Sequence, residues 1–163
     1  MRTLLLAACM AVLALPGLAE DAANGKKDTA DIPDAQVFTS DHSLRLGNRT
    51  VKYKTIASET YLRDAKDEPT AAIFSVSYID TATTSPAARP VTFVFNGGPG
   101  SASLWLHMGA FGPKQVITPS DASDVGAPPY TIRDNRNSLL DVTDLVFIDP
   151  VGTGYSRPLG ETE

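Results

Sequence analysis

Phe93-Val94-Phe95-Asn96-Gly97-Gly98-Pro99-Gly100-Ser101-Ala102-Ser103-Leu104-Trp105-Leu106-His107-Met108-Gly109-Ala110-Phe111-Gly112-Pro113 reads as a strand running into a glycine-rich turn and then a short apolar helix. The Asn96–Gly100 segment sets three glycines and a proline around backbone N–H groups at the C-terminal end of a strand, where α/β sheets hold their ligands. Such a turn suits a developing negative charge. A helix over Ser101 to Ala110, stopped by Phe111-Gly112-Pro113, would add the positive potential of its N-terminal N–H groups. Ser101 and Ser103 are expected to cap that helix.

Upstream of the turn the pattern is strand-like. Ser43-Leu44-Arg45-Leu46 and Thr50-Val51-Lys52-Tyr53-Lys54-Thr55-Ile56 alternate with period two around Gly47-Asn48, which predicts a hairpin. Ala71 to Ile79 predicts a third strand and Arg89 to Phe95 a fourth, together an antiparallel start to the sheet. Downstream, Lys114 to Thr118 reads as a short extended segment, Pro119 to Pro129 as a polar loop, and Asn135 to Leu140 as a short helical approach. Leu145-Val146-Phe147-Ile148-Asp149 is an apolar run ending in a carboxylate and followed by Pro150, which predicts a fully buried strand of a mostly parallel sheet. The fold class is therefore α/β, with antiparallel edge strands leading into a mostly parallel sheet.

A second block joins the first: Asn137-Ser138-Leu139-Leu140-Asp141-Val142-Thr143-Asp144-Leu145-Val146-Phe147-Ile148-Asp149-Pro150-Val151-Gly152-Thr153-Gly154-Tyr155-Ser156. In order and spacing the two blocks resemble the serine carboxypeptidase family (peptidase family S10, α/β-hydrolase fold). The likeness covers roughly Phe38 to Pro158 and is nearest to bacterial secreted members. It implies a serine-type carboxypeptidase that releases C-terminal residues from peptides through an acyl-enzyme, with no cofactor and no metal. It also implies that the backbone N–H of Gly98 is one oxyanion donor, that the Asn96 amide and the Gly97 N–H bind the substrate's terminal carboxylate, and that Trp105 lines the pocket for the C-terminal side chain. Family members often carry a glutamate where Ala110 stands, so the carboxylate network is expected to be altered and the preference for acid pH weakened. On the residues alone Asn96 equally caps its own turn, and Trp105 equally belongs to the core.

The family's nucleophile sits in a Gly-x-Ser-x-Gly elbow, with Asp and His following it in the chain. No such elbow occurs in the 163 residues. Ser156 lies in Gly154-Tyr155-Ser156-Arg157-Pro158, after a loop rather than a strand, and is not expected to attack. His42 and His107 precede any elbow, and His107 reads as a packed side chain. Asp149 reads as an anchor for the Gly152-Thr153-Gly154 loop, Thr153 and Tyr155 as shaping that loop, and Asp141 and Asp144 as solvated or capping. The expectation is an N-terminal portion (37–163) of a hydrolase domain whose triad lies elsewhere, inactive and poorly folded alone because a sheet edge is exposed. The alternatives are an acyltransferase using the same serine chemistry, or a non-catalytic hydrolase-like module that binds peptide C-termini. A phosphate binder lacks both the Gly-Lys-Ser/Thr and the Gly-x-Gly-x-x-Gly pattern.

Met1-Arg2-Thr3 followed by the apolar run Leu4 to Leu15 and Pro16-Gly17-Leu18-Ala19 reads as a secretory signal cleaved after Ala19. Export to the periplasm or beyond follows, without stable membrane insertion. Cys9, the only cysteine, falls in that run as an ordinary apolar-region residue, in preference to a lipidation site. The mature chain then has no thiol, which excludes disulfides, a cysteine nucleophile and a zinc-thiolate centre. Residues 20–36 are small, charged or helix-breaking and read as a flexible N-terminus. With 14 Lys and Arg against 19 Asp and Glu the net charge is −5, which disfavours nucleic acid as a partner.

Overall fold

The computed structural model describes residues 32–121, 123–124 and 126–159. The stretch read as a secretory signal, with Cys9, most of the 20–36 stretch and the last four residues lie outside them.

Strands β1 (Val37–Leu46) and β2 (Arg49–Arg63) form the hairpin, with Leu46 opposite Arg49. The two-residue turn places Gly47 at φ +56°, the left-handed backbone that a tight hairpin turn requires. β3 (Pro69–Asp80) pairs antiparallel with β2. β1 and β2 run well beyond their apolar residues because main-chain ladder bonds, not side chains, extend them through Thr39, Ser40 and Asp41.

Two expectations about the sheet are corrected. The fourth run, β4 (Val91–Val94), does not continue the antiparallel series. The order is β1-β2-β3-β7-β4, where β7 (Asp144–Ile148) lies antiparallel to β3 and parallel to β4. The described sheet is thus mixed, with one parallel pair. β7 is not buried on both faces either: Leu145 and Phe147 are buried, whereas Val146 and Ile148 are partly exposed. A strand between one antiparallel and one parallel neighbour, covered on one face, alternates in burial.

A charged clamp holds this order. Arg89 Nε donates to Asp144 Oδ1 at 2.7 Å and its Nη2 to the Leu140 carbonyl at 2.5 Å. Arg89 also faces Asp80 at 3.8 Å, and Arg49 Nη2 donates to Asp80 Oδ2 at 2.8 Å. Asp80 is only 2% exposed, so its charge needs both cations. Asp144, expected to be solvated or capping, is instead the acceptor that joins the start of β7 to the approach to β4.

The core lies on one sheet face. Leu44 and Leu46, Val51 and Tyr53, Tyr78, Leu145 and Phe147, and Val94 all obey period two, and Leu140 closes over them from a 3₁₀ turn at Leu139–Asp141. The predicted Ser101–Ala110 helix is shorter: α1 covers Leu104–Leu106 and passes into a π turn at His107–Phe111. That turn is fastened from outside. Buried Asn135 donates to the Ala110 and Gly112 carbonyls, and Ser138 Oγ to the Phe111 carbonyl. Asn135 follows β6 (Ile132–Asp134), a strand not foreseen from the sequence, which pairs with β5 (Lys114–Val116). At three residues β6 is too short to show a period.

β8 (Arg157–Pro158) pairs with β3 at Ala71 and Ala72, along the same edge that β7 occupies from Ser75 to Tyr78. The Asp149–Ser156 loop is therefore an excursion between two pairings with one strand. β4 ends the described sheet and exposes Val91, Phe93 and Phe95. Among the described residues no helix is long and apolar enough to cross a membrane.

Candidate functional site

β4 and β7 run parallel, so their C-terminal ends lie at the same end of the sheet, and each opens into a glycine-containing loop. After β4 come Asn96 to Gly100. Gly98 and Gly100 both sit at φ +83°, a conformation closed to most L-residues, and a side chain at either would meet only open space. These glycines are required by backbone shape, not by crowding.

The turn's polar groups are unengaged. Among the described residues, none of the N–H groups of Asn96, Gly97, Gly98, Gly100, Ser101 and Ala102 has a hydrogen-bond acceptor. The Asn96 side chain, partly exposed, likewise has no partner there, so it does not cap its own turn by hydrogen bonding. Asn96, Gly97 and Gly98 thus stand consecutively with free donors. Trp105 is 71% exposed among the described residues. Ala110 stands half-buried in the π turn, its carbonyl accepting from Asn135.

The capping expectation fails for Ser103. It occupies the N-cap position, but its side chain accepts nothing from the helix. Its N–H donates to Asp149 Oδ1 at 2.9 Å and its hydroxyl to the Ile148 carbonyl. That N–H therefore adds nothing to the positive potential at the turn.

Asp149 anchors the second loop. Its Oδ2 accepts from the Tyr155 N–H at 3.3 Å, its N–H donates to the Phe74 carbonyl, and its carbonyl accepts from Ser156 Oγ at 2.7 Å. Ser156 Oγ in turn accepts from the Phe74 N–H at 2.7 Å. Ser156 is a buried strut that fills the gap in β3's ladder between β7 and β8, with its hydroxyl committed on both sides. Thr153 is bound back to Pro150 and shapes the loop, while Tyr155 is 73% exposed and packs against Phe74, ring centroids 5.0 Å apart.

A cavity of about 400 Å³ lies beside the turn, walled by Phe74, Val76, Leu104, Met108, Phe147 and Tyr155. His107 and Asp149 also reach it. His107 is packed as expected: its ring stacks on Phe147 at 4.4 Å, and Tyr78 Oη lies 2.5 Å from Nε2. Burial pushes its pKa down from 6.5 to about 4, against a smaller upward pull from Asp149. Burial also raises the Tyr78 phenol, so at neutral pH a neutral hydroxyl meets a neutral imidazole. His42, by contrast, stacks on Tyr53 and bonds Ser40 on the outer hairpin. No local pattern reveals the Ser103, Ser156 and Tyr78 contacts, because each involves a partner more than 25 residues away.

No curated protein matches the chain. Among solved structures, Kex1(delta)P, a prohormone-processing carboxypeptidase from Saccharomyces cerevisiae, is 24% identical with a TM-score of 0.44. The match covers 78% of this chain and 22% of that one, so the chain spans about a fifth of the length of that enzyme. A family model described as serine carboxypeptidase matches residues 56–161, a stretch that contains the glycine turn, the π turn, β7 and the Asp149–Ser156 loop. The chain belongs to the serine carboxypeptidase family.

Proposed function

We propose that the full-length protein is an exported serine-type carboxypeptidase that releases the C-terminal residue of peptides through an acyl-enzyme. Nucleophile, acid and base are supplied by residues outside these 163. This chain contributes the electrostatic half of the chemistry. The Gly98 N–H donates to the oxyanion formed when the scissile carbonyl is attacked. Preorganised donors of this kind act because charge develops on the oxygen only in the transition state. The Asn96 amide and Gly97 N–H bind the substrate's free carboxylate, which selects a chain end, and Trp105 lines the side of the pocket that receives the terminal side chain.

The observation that carries this reading is the run of donors from Asn96 to Ala102 without acceptors, on a turn that only glycine can form. Family membership supports the reaction class. The test compares hydrolysis of a blocked dipeptide bearing a free C-terminal carboxylate with hydrolysis of its amide counterpart by the full-length protein. The acid is expected to be strongly preferred. Equal rates would remove Asn96 from carboxylate recognition, and no turnover of either would sink the proposal.

A further inference from the structure

We propose that Asp149 is a positioning residue for the glycine turn: its carboxylate clamps the exit of the turn to the neighbouring loop and so sets the aim of the Gly97 and Gly98 N–H groups. The catalytic consequence rests on the carboxypeptidase reading; the clamp itself does not.

On its entry side the turn is fixed by the parallel pairing of β4 with β7, which ends at Val94 opposite Phe147. No N–H from Asn96 to Ala102 is bonded among the described residues, so the next fixed point is Ser103. Ser103 is held twice, and both holds come from the tip of β7: its N–H by Asp149 Oδ1 and its hydroxyl by the Ile148 carbonyl. The glycine turn is thus a span between two posts, and the second post is Ile148 and Asp149 at the end of β7. Moving Ser103 re-aims every donor between them.

The second oxygen of the same carboxylate takes the Tyr155 N–H, in a loop whose other ties are its own turns and Phe74 of β3. Room for that oxygen depends on Gly154. A Cβ there would lie 2.0 Å from Asp149 Oδ2, and Gly154 sits at φ +51°. The glycine is therefore explained by the carboxylate it must admit. A carboxylate gives each of the two N–H groups its own oxygen and a charge-assisted bond, where an amide side chain has a single oxygen to share between them.

The test uses the full-length protein with Asp149→Ala, Asp149→Asn and Gly154→Ala. Three readouts are compared: kcat and KM on the blocked dipeptide acid, amide exchange over residues 103–107 and 152–156, and thermal unfolding. Asp149→Ala is expected to lower kcat about 100-fold, the scale of an ångström-size misplacement in an active site, with KM changed far less. Asp149→Asn, which keeps one acceptor, recovers part of that loss. Exchange is expected to quicken in both segments. Should Asp149→Ala fail to fold, Gly154→Ala asks the same question with the carboxylate retained but displaced, and is expected to show the same kcat loss and paired exchange. Wild-type kcat, a loss that only follows the unfolded fraction, or exchange that quickens in the 152–156 loop alone would each overturn the proposal. An inactive wild type would sink the carboxypeptidase reading, while exchange would still decide whether the clamp exists.

Discussion

The two loops at the ends of β4 and β7 use glycine for opposite purposes. In Asn96–Ala102 the glycines hold the backbone in a shape that leaves six N–H groups without acceptors among the described residues. In Asp149–Ser156 the positive φ of Gly152 and Gly154 folds the chain back on itself. There the N–H groups of Asp149, Gly152, Thr153, Tyr155 and Ser156 all find acceptors within the protein. The first loop stores unmet hydrogen-bonding capacity, whereas in the second only the Val151 and Gly154 N–H groups lack an acceptor among the described residues. A binding turn needs a satisfied neighbour, because unbonded backbone stays in one conformation only if something else fixes its ends.

The sharpest break in this contrast is Gly98→Ala. A side chain would meet no clash, but φ +83° is strained for alanine and the turn must re-route. Loss of an oxyanion donor costs about 2.7–4 kcal/mol of barrier, so kcat is expected to fall by two to three orders of magnitude, with unfolding shifted by no more than the backbone strain of about 1–2 kcal/mol. Retained kcat would show that the free N–H is not aimed at the reacting atom. Next, Asn96→Ala is expected to weaken recognition of the free acid by about 1.5–3 kcal/mol, the worth of a hydrogen bond to a charged group, while leaving the amide substrate unaffected. Equal effects on both substrates would count against it.

On the satisfied side, Ser156→Ala removes a donor to Asp149 and an acceptor for Phe74. Leaving buried polar groups unpaired costs about 1–3 kcal/mol, measurable as a lower urea midpoint, with substantial turnover surviving in the full-length enzyme. Abolished chemistry at unchanged stability would make Ser156 a candidate nucleophile after all. A further expectation concerns pH. Because the folded state lowers the His107 pKa to about 4, the unfolded chain takes up a proton there first as pH falls. Stability from this site is complete above about pH 6.5 and is lost progressively toward pH 4. His107→Phe should flatten that part of the profile, and an unchanged slope would mean that another group dominates it.

Local signals carried the hairpin, β3, the glycine turn and the β7 run, since each depends on period two or on glycine at a tight turn. They did not carry the placement of β7 between β3 and β4. That depends on Arg89 reaching both Asp144 and Asp80, contacts spanning 55 and 9 residues that no periodic pattern records. Ser103 shows the same limit in the site. Its position after a turn predicts a helix cap, yet its hydroxyl faces the Ile148 carbonyl, and a close acceptor on a packed strand outcompetes a frayed helix end.

What the amino-acid sequence by itself determined is the chemical character of the site: a strand, an asparagine and three glycines whose backbone can present N–H groups to a negative charge. Only the tertiary structure decided which of those groups are free and what holds them. Hydrogen-bond partners are allotted by proximity in space, and here β7 brings Ile148 and Asp149 to Ser103 across more than forty residues of chain.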